Sequence, residues 1–198
     1  MKDTRETILK TAYNLFLYNN YEAVTIDSII KATGLTKGGI YYYFASKEEI
    51  FKAVIDKYML ENRPDSSVEY KSLEALIQST IDNVKKKFTK MVIENKDFQN
   101  EIPVNLLSLI VTSLHYYPGY AKIGIEFIKS QDKQWEDTIQ KAIKNGEIRH
   151  DMDIPATAKN FIQINSGIVM NMITGGSIIY AFDMFERQYW QLYNLIKV

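Results

Sequence analysis

The sequence predicts an all-α protein, with a small N-terminal helical head and a larger C-terminal helical domain. Apolar residues recur at helical spacing through most of the chain, and strand-like alternation is scarce. A Pro64-Asp65-Ser66-Ser67 stretch interrupts the pattern after about sixty residues, which sets the expected domains at 1–62 and 63–198. With 46% apolar and 24% charged residues, 198 residues hold enough material for a substantial core.

The elements follow in order. Ile8, Ala12, Leu15 and Phe16 form one apolar stripe, and Asn19-Asn20 ends that helix. Thr25 caps a short second helix that carries Ile26, Ile29 and Ile30 inward, places Asp27 at its positive end and stops at Gly34. Thr36 caps a third segment, Lys37 to Phe44, and Ser46-Lys47-Glu48-Glu49 reads as a capping box opening a helix through about Met59. Beyond the linker, Leu73, Leu76, Ile77, Ile81, Val84, Phe88 and Val92 mark a longer amphipathic helix, with Lys85, Lys86 and Lys87 on its solvated face. Pro103 and Pro118 suit the first turns of two more helices, the second extending through Ile143 to a stop at Gly146. Asp153 caps a helix from Pro155 to about Ile173, and a last one near Phe182 to Ile196 follows the Gly175-Gly176 break.

Several function classes are excluded or disfavoured by composition. The absence of cysteine removes disulfides, thiolate metal sites and a cysteine nucleophile, and the two histidines, His115 and His150, cannot make a three-histidine zinc site. Neither H-E-x-x-H nor G-x-S-x-G occurs, and no phosphate loop, so neither an enzyme nor a metal or cofactor is expected. The N-terminus has no apolar core of a signal peptide, and polar residues interrupt the stretch Phe161 to Phe182, so a cytoplasmic protein with no membrane partner is expected. Net charge is zero, and residues 1–60 hold eight basic against seven acidic groups. Any positive face must come from placement.

Two short helices joined by a glycine-containing turn and braced by a preceding helix make a helix-turn-helix, in which the second helix enters the DNA major groove. The window Thr25 to Phe44, TIDSIIKATGLTKGGIYYYF, followed by ASKEEIF, resembles the N-terminal signature of the TetR/AcrR family of transcriptional regulators over residues 4–59. The resemblance implies a DNA-binding set of Thr25, Thr36, Lys37, Gly38, Gly39, Tyr41, Tyr42, Tyr43 and Lys47. Tyr42 stands where the family commonly has a base-contacting histidine, and Tyr43 and Lys47 match phosphate-holding positions. Gly38 and Gly39 let the helix approach the groove floor, and Tyr41 and Phe44 are expected to pack it onto Ile8, Phe16 and Ile29.

The same resemblance implies a homodimeric repressor that binds palindromic double-stranded operator DNA and is released by a small-molecule effector. The expected dimer face is Ala158, Phe161, Ile162, Asn165, Val169 and Met172, with core packing as the alternative for each. An effector pocket is expected among His115, Tyr116, Tyr117, Tyr120, Phe127 and Trp135, suited to a hydrophobic or aromatic molecule. The competing reading is a helical small-molecule-binding module without specific DNA binding.

Overall fold

The computed structural model describes residues 4–94, 102–173 and 178–198. It is helical throughout: α1 (Thr4–Tyr18), α2 (Ile26–Thr33), α3 (Lys37–Tyr41), α4 (Lys47–Ile55), α5 (Leu73–Glu94), α6 (Ile102–Tyr116), α7 (Tyr120–Lys144), α8 (Ile154–Ile173) and α9 (Ile178–Ile196). Among the described residues the only β pairing is an isolated bridge between Ile148 and Lys197. The chain divides into two compact units, residues 1–63 with 104–122, and residues 64–103 with 123–198. The first unit therefore takes in a segment, 104–122, that the sequence assigned to the second domain. No helix among the described residues is long and apolar enough to cross a membrane.

In the first unit, Ile8, Leu9, Ala12, Phe16 and Leu17 give α1 its buried side. Phe16 meets the Phe51 ring edge-on with centroids 5.1 Å apart, and Tyr21 meets the same ring at 4.9 Å. Ile29, Ile40, Phe44, Ile50, Val54 and Ile55 complete this core. Helix α4 ends earlier than expected and continues as one widened turn, Asp56–Leu60, closed by the Glu61 N–H donating to the Asp56 carbonyl at 2.8 Å.

In the second unit, Leu73, Leu76, Ile77 and Ile81 of α5 pack with Trp135, Ile139 and Ala142 of α7, Ala158, Phe161 and Ile168 of α8, and Ala181, Phe185, Tyr189 and Tyr193 of α9. The expected stripe residues Phe88 and Val92 lie outside the described side chains. Helix α7 runs unbroken through Ser130 to Lys133, and Gly146, at φ 71°, supplies the left-handed residue that ends it. Asp153 caps α8 as expected, its Oδ1 accepting the Ala156 N–H at 2.9 Å. Lys85 is not merely solvated, since its ammonium pairs with Glu186 of α9 at 2.5 Å.

The cap of α5 comes from far along the chain. The Glu147 carboxylate accepts the N–H groups of Leu73 at 3.1 Å and Glu74 at 3.0 Å, and the Tyr193 hydroxyl at 3.1 Å. A carboxylate there satisfies open donors and meets the positive end of the helix dipole. Glu147→Ala should lower the stability of this unit by about 2 kcal/mol through the lost cap. Both tryptophans, Trp135 and Trp190, belong to the same unit, so urea unfolding followed by tryptophan fluorescence reads the effect directly, and an unchanged midpoint would refute it.

Candidate nucleic-acid interface

The helix-turn-helix is α2, a three-residue turn and α3. Thr25 and Ser28 cap α2 reciprocally: Ser28 N–H donates to Thr25 Oγ1 at 3.1 Å, and Thr25 N–H donates to Ser28 Oγ at 3.0 Å. Gly34 ends α2 at φ 70°, its N–H donating to the Ile30 carbonyl at 2.9 Å. A side chain there would be strained, so the tight reversal toward α3 depends on glycine. Thr36 Oγ1 then accepts the Gly39 N–H at 3.1 Å and opens α3.

Helix α3 is shorter than expected, closing at Tyr41 rather than Phe44. Ile40 and Phe44, four residues apart, take its inward side at 0% and 3% exposure. Tyr42 is 82% exposed and Tyr41 45%. The expectation that Tyr41 packs inward is thus corrected: it lies about 100° round the helix from Ile40 and points away from the core. Lys37 is exposed, with its Nζ 6.0 Å above the Tyr41 ring. The Tyr42 and Tyr43 rings meet edge-on at 4.9 Å.

A Cβ built on Gly38 would meet nothing within 4 Å, so the protein's own packing does not demand glycine there. At Gly39 it would stand 3.3 Å from the capping Thr36 oxygen. Ser46 caps α4 by accepting the Glu49 N–H at 3.2 Å, and the Glu49 carboxylate reaches back to the Ala45 N–H at 2.7 Å, one residue earlier than a standard capping box.

Lys47 sits at the start of α4. Its Nζ donates to the Tyr21 carbonyl at 3.0 Å and lies 4.0 Å above the Tyr21 ring, which occupies one of three N–H donors. Tyr21 in turn donates to Glu48 at 3.3 Å, and burial, aided by that carboxylate, pushes its phenol up to about 12. Sequence reasoning missed Tyr21 because its partners are 26 and 27 residues away.

The six expected effector residues are divided between the units. His115 is exposed, and Tyr116, Tyr117 and Tyr120 work within the first unit. Tyr116 stacks on Tyr21 at 4.2 Å and its hydroxyl donates to Glu22, a bond that holds the Glu22 carboxyl below its ordinary range. Tyr117 donates to Asp56 at 2.6 Å, and its ring meets Tyr120 at 5.8 Å. Phe127 is half-buried in the second unit, and Trp135, 2% exposed, belongs to that unit's core. A cleft of about 530 Å³ does occur in the second unit, between residues 66–70 and α7, but it is lined by Ser66, Tyr70, Lys133, Gln134, Asp137 and Lys141 among others, and by none of the six.

Of the six expected dimer residues, Ala158 and Phe161 are buried in their own unit's core, Ile162 and Asn165 are half-buried, and Val169 and Met172 lie outside the described side chains. The outward residues of α8 and α9 include Gln163, Ser166, Met170, Tyr180, Arg187 and Leu195.

Comparison with known proteins agrees with this geometry. Residues 8–54 match the family model for bacterial regulatory proteins of the tetR family. The HTH-type transcriptional regulator YfiR of Bacillus subtilis is 25% identical over 175 residues, 87% of this chain and 82% of that protein. TtgW of Pseudomonas putida, also an HTH-type regulator, is 30% identical over 100 residues, 46% of this chain and 74% of that protein. The fold matches a TetR transcription regulator from Haloarcula marismortui with a TM-score of 0.70 over 100% of both chains at 19% identity. A TetR-family regulator from Cytophaga hutchinsonii gives 0.61 over 98% of this chain and 95% of that one at 22% identity. With the capped α2-turn-α3 unit and its outward tyrosines in place, the chain belongs to the TetR family of bacterial transcriptional regulators.

Proposed function

We propose that the protein is a homodimeric repressor that reads a palindromic operator through α3 and releases it on binding a small effector. The observation that supports this best is the division of α3 and the residues directly after it into a buried side, Ile40 and Phe44, and an outward side bearing Lys37, Gly38, Tyr41 and Tyr42. An 82%-exposed tyrosine on a helix whose other side is fully packed makes no contribution to the core. In the major groove it supplies a ring for thymine methyl contact and a hydroxyl for a base edge. Lys37 and Lys47 serve phosphates, Lys47 with the donors left after its bond to Tyr21. The Thr36 cap leaves other α3 N–H groups directed at a phosphate.

Two copies present two such helices, and the outward residues of α8 and α9 supply the face on which copies meet. This replaces the expected face built on Ala158 and Phe161, because those side chains are already committed to their own core. A two-fold axis then repeats the α3 contacts one DNA turn apart. An effector shifts the protein off DNA only by binding the released conformation more tightly than the DNA-bound one.

The tests are titrations against DNA flanking the protein's own gene at several salt concentrations. Tyr42→Ala should lose about 1–3 kcal/mol of discrimination between operator and competitor. Lys47→Ala should weaken all DNA alike and reduce the salt slope by about 0.9. Gly38→Ala separates packing from recognition: the free protein should hold or gain up to about 1 kcal/mol of stability, while operator affinity falls because a methyl group enters the groove contact. Equal stability and equal affinity for Gly38→Ala would remove the close-approach role. No specific complex across a genomic fragment library, with refolded ligand-free protein, would end the repressor reading.

A further inference from the structure

Lys47 rests on a carbonyl and an aromatic ring, with two carboxylates in electrostatic reach. Its Nζ donates to the Tyr21 carbonyl at 3.0 Å and lies 4.0 Å from the centre of the Tyr21 ring. Glu22 is held below its ordinary range chiefly by the Tyr116 hydroxyl, and Glu48 chiefly by its own backbone N–H, with the Lys47 charge contributing to each. Lys47 nevertheless forms no ion pair among the described residues. Each carboxylate is instead engaged by a tyrosine: Tyr21 donates to Glu48 at 3.3 Å, and Tyr116 donates to Glu22. Tyr116 ends α6 and stands 94 residues along the chain from Glu22, yet it belongs to the same compact unit. Its ring stacks on Tyr21 at 4.2 Å with planes 26° apart. Tyr21 is itself 6% exposed, with Phe51 meeting its ring at 4.9 Å. A buried partner therefore fixes the Tyr116 ring, and the hydroxyl at its outer end holds Glu22.

We propose that Tyr116 is a positioning residue for DNA binding: by holding Glu22, it keeps the Lys47 ammonium without an acidic partner and open to a phosphate. The inference rests on the reading that Lys47 serves a phosphate, and it adds the residue that keeps Lys47 available. A Glu22 carboxylate released from Tyr116 has Lys47 as a cation to pair with. Once paired, Lys47 gains less from DNA, because a phosphate must displace the carboxylate and the carboxylate repels the backbone. Tyr21 cannot do this alone, since its hydroxyl is committed to Glu48 and it offers Lys47 only its carbonyl and ring. The end of α6 thus governs a DNA contact through Glu22, and a shift that breaks the Tyr116 bond weakens that contact while α3 keeps its place.

The test uses the full chain and random-sequence duplex DNA titrated at several salt concentrations, because phosphate contacts act on every sequence. Tyr116→Phe keeps the ring on Tyr21 and removes only the hydroxyl. It should weaken binding about two- to fivefold, the range of an exposed ion pair, and make the salt slope shallower by up to about 0.9. Lost packing could also lower affinity, so the decisive measurement repeats Tyr116→Phe in the presence of Glu22→Gln. With no carboxylate to capture Lys47, Tyr116→Phe should then change neither affinity nor slope, and it should likewise have no effect in the presence of Lys47→Ala. The inference is overturned if Tyr116→Phe binds as the unaltered protein does, or if its loss is the same with and without Glu22→Gln. A shallower slope for Lys47→Ala with an unchanged one for Tyr116→Phe sinks this inference alone. An unchanged slope for Lys47→Ala sinks the phosphate reading with it.

Discussion

A recognition helix of five residues cannot hold itself in shape, and the head is organised around that constraint. Helix nucleation fixes several backbone angles for a single hydrogen bond, so a segment as short as α3 stands only where packing and caps hold it. Ile40 and Phe44 supply the packing, seated in a core floored by α1. Thr36 supplies the opening bond, and Gly34 the reversal that delivers the chain to it. With these groups holding the segment, Gly38, Tyr41 and Tyr42 are left exposed. Tyr41, Tyr42 and Gly38 can then be chosen for what they meet outside the protein.

The features legible in the sequence are those whose partners lie within about four residues. Thr25, Thr36, Ser46 and Asp153 were all readable as caps, since a cap and the N–H it accepts are separated by a fixed local interval. Helix spans were readable for the same reason, from stripes that repeat every turn. Tyr41 was misplaced because three tyrosines and a phenylalanine in a row offer several ways to choose a buried side, and only the observed register of Ile40 and Phe44 decides among them.

Pairings across long separations were not legible. Tyr116 and Tyr117 looked like pocket material beside Pro118-Gly119, yet their partners Tyr21, Glu22 and Asp56 lie 61 to 95 residues earlier. Phe161 sat on a stripe that periodicity alone could assign equally to a subunit interface or a core, and the Trp135 ring 5.1 Å away assigns it to the core.

The Glu147 cap bears on how the chain matures as it is made. It draws together Leu73, Glu147 and Tyr193, so the second unit cannot close until the chain has been made through Tyr193. Residues 4–55, by contrast, carry the α1–α4 core within one short stretch and can form it early. The nascent protein therefore passes through an interval in which a folded head trails an open second unit with its aromatic core uncovered. That interval, rather than the finished molecule, is when aggregation is the greater hazard, and a faster-translating or truncated message would alter its length.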